Sequence, residues 1–414
     1  MPLSDENYFK GVFLMLTLDK VYQASYVLKE VVRPTDMIKA KDLCPDYNVY
    51  LKTENLQVTG SFKVRGAYYK ISQLSPEEKA KGVIACSAGN HAQGVALAAA
   101  KNGIKSCICI PDSAPISKVE ATKSYGADVC LVEGTYDDAH DKAVEIQKET
   151  GATFIHPFDD ELVIAGQGTI GLEILEQLPD VEAVIVPIGG GGLISGVAFT
   201  IKSLHPDVKV YGVQAAGAPS MVNAVRDHKI ETLPKVKTIA DGIAVKTPGD
   251  NTFEIVSKYV DGLVTVTDDE VAAAILTLME KQKLVSEGAG AVPVAALMFN
   301  KIPELKGKKV CCLVSGGNID ITSLSRVINR GLQKTGRLTD LSIELVDKPG
   351  QLRSVSKIIG NLGGNVTSVS YGMTDLEADI NSCIIKLTIE TRNQAHIDEI
   401  KAELAKQGYH LINK

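Results

Sequence analysis

Residues 182–205 read EAVIVPIGGGGLISGVAFTIKSLH, and this stretch decides the architecture. The run AVIV at 183–186 is apolar without alternation, which suits a strand buried on both faces. Gly189, Gly190, Gly191 and Gly192 follow, then Leu193 and an apolar helix pattern from about Ile194. Strand, tight turn and helix in that order make the unit of a parallel α/β sheet. Four glycines in a row let successive backbone N–H groups converge on one anion at a helix N-terminus, where the helix dipole adds its pull. The turn lacks the Lys-Ser/Thr ending of an NTPase loop, so it fits a fixed phosphate monoester, such as a cofactor tail.

The same texture runs outward from this unit. NVYLKTE, GVIACSA, SCICIP, DVCLVEG, TFIHPF, KVYGVQA, LVTVT and KKVCCLVSGGN alternate with helix patterns such as AQGVALAAAKNG and YDDAHDKAVEIQKETG, predicting a parallel core covered on both faces. Upstream, Leu18, Val21, Tyr22, Val27, Leu28, Val31 and Val32 fall at helical spacing and predict a covering helix that stops before Pro34. Residues 326–340, RVINRGLQKTGRLTD, read as a basic helical connector. Beyond it the period changes: strands over 341–346, 365–373 and 381–391, helices over 351–362 and 393–407, and a short last strand. That order, βαββαβ, is a ferredoxin-like unit. The expected organisation is a catalytic domain at 1–325, the connector at 326–340 and a second domain at 341–414.

Composition narrows the functions. The 414 residues are 45% hydrophobic and 23% charged, which excludes disorder and predicts two or three compact units. A net charge of −6 with no basic run argues against nucleic acid and anionic lipid as partners. The eight cysteines show no C-x-x-C spacing, and Cys107, Cys109, Cys311 and Cys312 lie inside apolar runs, so they read as buried reduced thiols of a cytoplasmic protein. Residues 11–18 form a short apolar stretch, but Asp5 and Glu6 outweigh Lys10 ahead of it, which does not read as a secretory signal. No run approaches the roughly 20 apolar residues of a membrane span.

Three further segments carry chemistry. VIACSAGNHAQG places Ser87, Gly89, Asn90, His91 and Gln93 at a strand end and helix start, a set of donors able to hold a carboxylate. VCCLVSGGNID ends another buried strand with Ser315 and Asn318. TGSFKVRGA puts Lys63 after Phe62 where a helix begins. A phosphate cradle, a carboxylate loop and a lysine are together the parts needed to hold pyridoxal phosphate as a Schiff base. Gly166, Gly168 and Gly171 in GQGTIG match the dinucleotide fingerprint, but an acidic FDDELVIA precedes them instead of a strand, and no acidic residue closes the next strand. The seven histidines show no metal spacing; no metal site is expected, and His140, His156, His205 and His228 read as ordinary loop or helix residues.

TGSFKVRGA, SAGNHAQG, PIGGGGL, ADGIAV, SEGAGA and SGGN occur in an order that resembles the threonine ammonia-lyases (threonine dehydratases), fold type II enzymes dependent on pyridoxal 5'-phosphate. The tail, with DKPGQL at 347–352 and GGNVTSV at 363–369, resembles an ACT regulatory domain. The resemblance implies two parallel-sheet lobes followed by the ACT module. It implies that Lys63 carries the cofactor and then serves as base on Cα, that Phe62 lies beside the ring, and that Asn90 bonds the phenolic oxygen. Gly189, Gly190, Gly191, Gly192 and Leu193 would wrap the phosphate, and Ser315 would face the pyridine nitrogen. Ser87, Gly89, Asn90 and His91 would take the substrate carboxylate. A neutral serine does not hold the ring nitrogen protonated, and the weaker electron sink favours prompt β-elimination.

The implied reaction converts L-threonine to 2-oxobutanoate and ammonia, with L-serine slower, since one methyl group is worth about 1–3 kcal/mol of discrimination. Serine racemase, serine dehydratase and a dehydratase of another β-hydroxy amino acid are the alternatives. Related racemases have a serine where this chain has Ala88, which disfavours racemisation, and QAAGAPS at 214–220 lacks the carboxylates with which they bind a divalent ion. A non-catalytic amino-acid sensor is the rival from another class, and Lys63 argues against it. By resemblance the ACT-like module would pair between subunits of a homodimer or homotetramer. It would bind a small amino acid, isoleucine or valine, near Asp347, Gly350, Leu352 and Asn365; a purely oligomerising role is the alternative.

Overall fold

A computed structural model describes residues 16–372 and 382–412. Asp5, Glu6, Lys10, most of the apolar stretch at 11–18, and the expected strand ends at Met373 and Asn381 lie outside the described residues. The chain divides into two compact units, Met1–Ile321 and Thr322–Lys414.

The first unit holds two sheets. The larger runs in the order Met37–Lys39, Asn48–Lys52, Lys309–Leu313, Ala183–Pro187, Lys209–Ala215 and Gly262–Val266, antiparallel only at its first pair. The smaller is wholly parallel, in the order Asp128–Val132, Ser106–Pro111, Val83–Cys86 and Thr153–Phe154. Every residue of Ala183–Pro187 is buried, as the unbroken apolar run requires. The edge strand Asp128–Val132 leaves its margin wet, so Cys107 and Cys130 are half-buried and not interior as expected; all eight cysteines are free.

The covering helix forms at Leu18–Leu28, capped by the Thr17 hydroxyl, which accepts from Lys20 N at 3.4 Å. It packs Val21 and Ala24 into an apolar cluster with Tyr69, Ile164 and Ala165. The GQGTIG glycines lie inside the helix Glu161–Gln177. There they serve close packing: a Cβ on Gly166 would stand 2.6 Å from Gly66 Cα, and one on Gly168 would stand 2.8 Å from Thr200 Oγ1. This helix thereby touches both the helix Lys63–Ser72 and the helix Gly192–Leu204, the two that leave the lysine and glycine turns.

A buried charge network ties the first of those helices down. Arg65 forks onto Glu54 at 2.8 Å through two nitrogens and reaches Glu173 at 2.5 Å, while Lys52 meets Glu173 at 2.6 Å. Two cations thus face two carboxylates, and the guanidinium holds Glu54 below the usual carboxylate range.

The second unit is an antiparallel sheet in the order Asn365–Gly372, Ser382–Glu390, Leu338–Val346 and His410–Ile412, with the helices Gln351–Asn361 and Gln394–Lys406. Its core is Ile343, Leu345, Ile359, Ile385, Leu387, Ile389, Ile400 and Leu404. The topology fits an ACT-like domain. The stretch expected as a connector is the helix Ile321–Lys334 and the start of the strand Leu338–Val346; it is structured because its apolar positions fall on one helical face. The expected effector residues fall at two ends of the sheet in one chain. Asn365 pairs across Glu390 to Leu338, whereas Asp347 follows Val346 at the other end of the sheet, where Tyr371 Oη donates to it at 3.0 Å. Asp347, Gly350 and Leu352 are neighbours within one chain; Asn365 is not. Among the described residues no helix is long and apolar enough to cross a membrane.

Candidate active site

Lys63 opens the helix Lys63–Ser72, with Phe62 at its N-cap. The loop before it is zipped to the loop after the strand Lys309–Leu313. Phe62 N donates to Ser315 O at 3.1 Å, Gly317 N donates to Gly60 O at 2.9 Å, and Ser61 bridges Gly316. The sequence-distant Lys63 and Ser315 are therefore held by one backbone frame. Ser315 is 2% exposed.

The Lys63 ammonium donates to the Pro157 carbonyl at 2.7 Å. Burial pushes its pKa down from 10.5 to about 8, and the Glu287 carboxylate opposes that shift. Pro157 belongs to a hub, IHPFD at 155–159, in a stretch expected only as a strand; the strand itself ends at Phe154. Phe158 lies under the glycine turn: a Cβ on Gly190 would stand 2.5 Å from its ring and one on Gly192 2.8 Å from its backbone. Asp159 accepts from Thr252 N at 3.1 Å, and Thr252 Oγ1 donates to Gly190 O at 2.6 Å. Lysine and glycine turn are thus braced against adjacent residues of one segment.

Gly191 takes φ +102°, and a Cβ there would meet the Thr252 side chain at 2.7 Å, so glycine is required twice over. The first bond of the following helix runs from Ser195 N to Gly191 O at 2.9 Å. Amides at the helix start have no intrahelical acceptor and are available to an anion. The Leu193 side chain packs into the apolar core, so this residue offers only its amide.

The carboxylate loop is placed by the strand Val83–Cys86 and the helix Asn90–Lys101, with Gly89 at the N-cap. Ser87 N donates to Cys109 O at 3.2 Å and Gly89 N to Ser87 Oγ at 3.1 Å. Open space lies in front of Gly89, where a Cβ would meet nothing within 4 Å. His91 can serve only through its backbone. Its side chain is buried, with Nε2 at 2.8 Å from Ile155 O, and burial beside Lys63 drives its pKa down to about 3. Only its backbone N–H remains for a substrate.

Asn90 Nδ2 donates to Glu287 Oε1 at 2.7 Å, while Asn318 Nδ2 donates to Asn90 Oδ1 at 2.7 Å. Glu287 was not among the expected site residues. It is 4% exposed, and burial, reinforced by Asp241, raises its pKa to about 7 against Lys118, Asn90 and Lys63. Its signal in the sequence is an acid at the mouth of the apolar helix GAGAVPVAALM.

These residues fit pyridoxal phosphate. A desolvated amine suits an aldehyde, a glycine turn packed so closely on Phe158 and Thr252 that it leaves only backbone amides to an anion suits a phosphate ester, and the space over Gly89 leaves room for an amino acid. Comparison with known proteins agrees. The pyridoxal-phosphate dependent enzyme family matches residues 28–316. L-threonine ammonia-lyase of Thermotoga maritima is 51% identical over 397 residues, covering 95% of this chain and 98% of that protein. The L-threonine ammonia-lyase of Geobacter sulfurreducens is 45% identical over the same shares. Among solved structures, the processed form of threonine deaminase isoform 2 from Solanum lycopersicum is similar with TM-score 0.72 and 38% identity, over 76% of this chain and 89% of that one. Maize serine racemase follows with TM-score 0.71 and 36% identity, over 76% and 97%. With its lysine, glycine turn and serine-bearing strand end all inside the matched region, the chain belongs to the pyridoxal-phosphate dependent enzymes.

Proposed function

We propose that this chain is an L-threonine ammonia-lyase, converting L-threonine to 2-oxobutanoate and ammonia, with L-serine turned over more slowly to pyruvate. The observation that carries the reading is the Lys63 amine held against Pro157 O, one residue from the aromatic ring under the glycine turn. When bound, pyridoxal phosphate supplies an aldehyde for the amino group and a ring that accepts the electron pair left when Cα loses its proton. The amides of residues 189–193 would hold the phosphate at the helix start. Ser315 would offer the ring nitrogen a neutral hydroxyl, and Phe62 would flank the ring. Ser87 and the helix-start amides at 89–91 orient the substrate carboxylate. Lys63 Nζ, whose pKa burial lowers to about 8, would take the proton from Cα. The β-hydroxyl would leave as water by taking a proton from the cofactor phosphate or a nearby acid, and hydrolysis of the released enamine would yield the keto acid and ammonia.

The test is a visible spectrum of the purified protein followed by L-threonine and L-serine, with assay of keto acid and D-serine. A Lys63-dependent band with 2-oxobutanoate formed faster than pyruvate supports the reading. Appreciable D-serine from L-serine overturns it in favour of racemisation, which Ala88 disfavours.

The setting is the cytoplasm, supported by eight free thiols. The chain acts as a homodimer or homotetramer whose second unit binds an aliphatic amino acid, isoleucine or valine, near Asp347, Gly350, Leu352 and Asn365; Leu352 is exposed and Gly350 N-caps its helix with open space before it.

A further inference from the structure

We propose that Glu287 is a positioning residue of the cofactor pocket: it locks the side-chain amide of Asn90 in one orientation, so that Asn90 turns an N–H, and not its oxygen, toward the bound cofactor. The inference rests on the cofactor reading above and deepens it.

A terminal amide has two orientations of nearly equal shape, and an unclamped asparagine samples both. Here a chain of hydrogen bonds removes the choice. It starts at the Thr59 carbonyl, which accepts only, and takes a bond from Asn318 Nδ2 at 2.8 Å. That fixes Asn318, whose same nitrogen donates to Asn90 Oδ1 at 2.7 Å. Asn90 Nδ2 then donates to Glu287 Oε1 at 2.7 Å, and the ionised form of that carboxyl again only accepts. The Thr59 carbonyl sets the polarity as far as Asn90, and ionised Glu287 closes the chain with a second acceptor. Flipping Asn90 would set its oxygen against the carboxylate and its NH2 against that of Asn318, losing two bonds and creating two repulsions. One Nδ2–H of Asn90 stays outside the chain for the pocket.

A buried carboxylate is costly unless it is paired or hydrogen-bonded, and Glu287, 4% exposed, takes the Asn90 bond. Its surroundings favour a retained charge only in part: Asp241 faces it from the 240–245 loop, paired with Lys118, while Lys63 faces it from the helix Lys63–Ser72. The backbone frame holds it to the Lys63 loop as well, since Glu287 N donates to Gly316 O at 3.0 Å and Gly316 bridges Ser61. The acid is thereby delivered to Asn90 by the same frame that delivers the lysine.

The test uses cofactor-loaded wild type, E287Q and E287A, reading cofactor affinity by absorbance titration and the position of the visible band. Glutamine keeps an acceptor oxygen for Asn90, so E287Q is expected within about threefold of wild-type affinity with the band in place. E287A frees the amide, so affinity is expected to fall about tenfold or more, with the band moved to shorter wavelength as the ring oxygen loses its donor. N318A, which removes the other clamp, is expected to move the band the same way and keeps the test decisive where E287A does not fold. An unmoved band in E287A or N318A, or E287Q as impaired as E287A, overturns the lock. A wild type without any Lys63-dependent band overturns the cofactor reading itself, and the inference with it.

Discussion

Lys63 Nζ donates to the Pro157 carbonyl oxygen at 2.7 Å, and the next residue, Phe158, is the ring against which Gly190 packs. A neutral carbonyl cannot compensate a buried ammonium as a carboxylate would, so the amine stays easy to deprotonate. Lys63→Ala is therefore expected to abolish turnover, by at least about 10³-fold, and to remove the visible cofactor band, while circular dichroism stays that of the wild type. Appreciable activity in the purified variant would sink the assignment.

The glycine turn should tolerate no methyl group. Gly190→Ala sets a Cβ 2.5 Å from the Phe158 ring, and relieving that contact shifts either the turn or the segment that holds Lys63. Cofactor affinity is expected to fall about 100-fold, roughly 2.7 kcal/mol, with little loss of secondary structure. An absorbance titration that overlays the wild type would remove the cradle role from this turn.

His91 gives a pH dependence of stability with a definite sign. Its folded pKa of about 3 lies below the ordinary 6.5, so under pH 6.5 the unfolded chain takes up a proton that the native state refuses. Stability is unaffected by this group above that pH, and it declines as pH falls toward 3. Between pH 6.5 and 5 the loss is about 2 kcal/mol, and His156, also lowered by burial, adds to the slope. Urea midpoints for wild type and His91→Gln should diverge over this interval, the variant losing less; parallel curves would mean that His91 is protonated in the native state.

Arg65 is expected to matter for stability. Truncation to alanine leaves Glu54, at 0% exposure, facing Thr35 and Lys52 without its guanidinium fork. Removing one partner of such a pair costs about 3–5 kcal/mol. Thermal melting of Arg65→Ala checks this, and a melting point within a few degrees of wild type would show that the network relaxes onto Lys52.

The parts of the site carried by local pattern were legible. An unbroken apolar run before four glycines can hardly be anything but a buried strand entering a helix, and Lys63 and Ser315 stand where their motifs put them. What sequence left hidden is what long-range packing decides. Pro157 contributes a carbonyl, which has no residue signature, and Phe158 contributes a ring to a glycine far along the chain. His91 looked like a donor because its neighbours are donors; only the fold shows its ring entering the core toward Ile155. The place of Asn365 was hidden for a topological reason: strand direction, not sequence distance, decides which sheet end a residue reaches.

The last prediction concerns the division of the chain. Every residue assigned to the cofactor site, from Phe62 through Asn318, precedes Ile321, and the second unit fills its core with its own side chains, among them Ile343, Ile385, Leu387 and Ile400. The helix Ile321–Lys334 clusters with that second unit, so a cut near residue 336 would strand it, whereas a stop after Ile321 respects the boundary. The protein ending at Ile321 is expected to keep threonine turnover within about threefold and to lose any change in rate on adding isoleucine or valine. A full-length enzyme that responds to either amino acid and a truncated one that responds equally would place the effector site in the first unit. Loss of turnover on truncation, with the cofactor band intact, would instead make the second unit a requirement for the active assembly, since the chemistry's own residues are all retained.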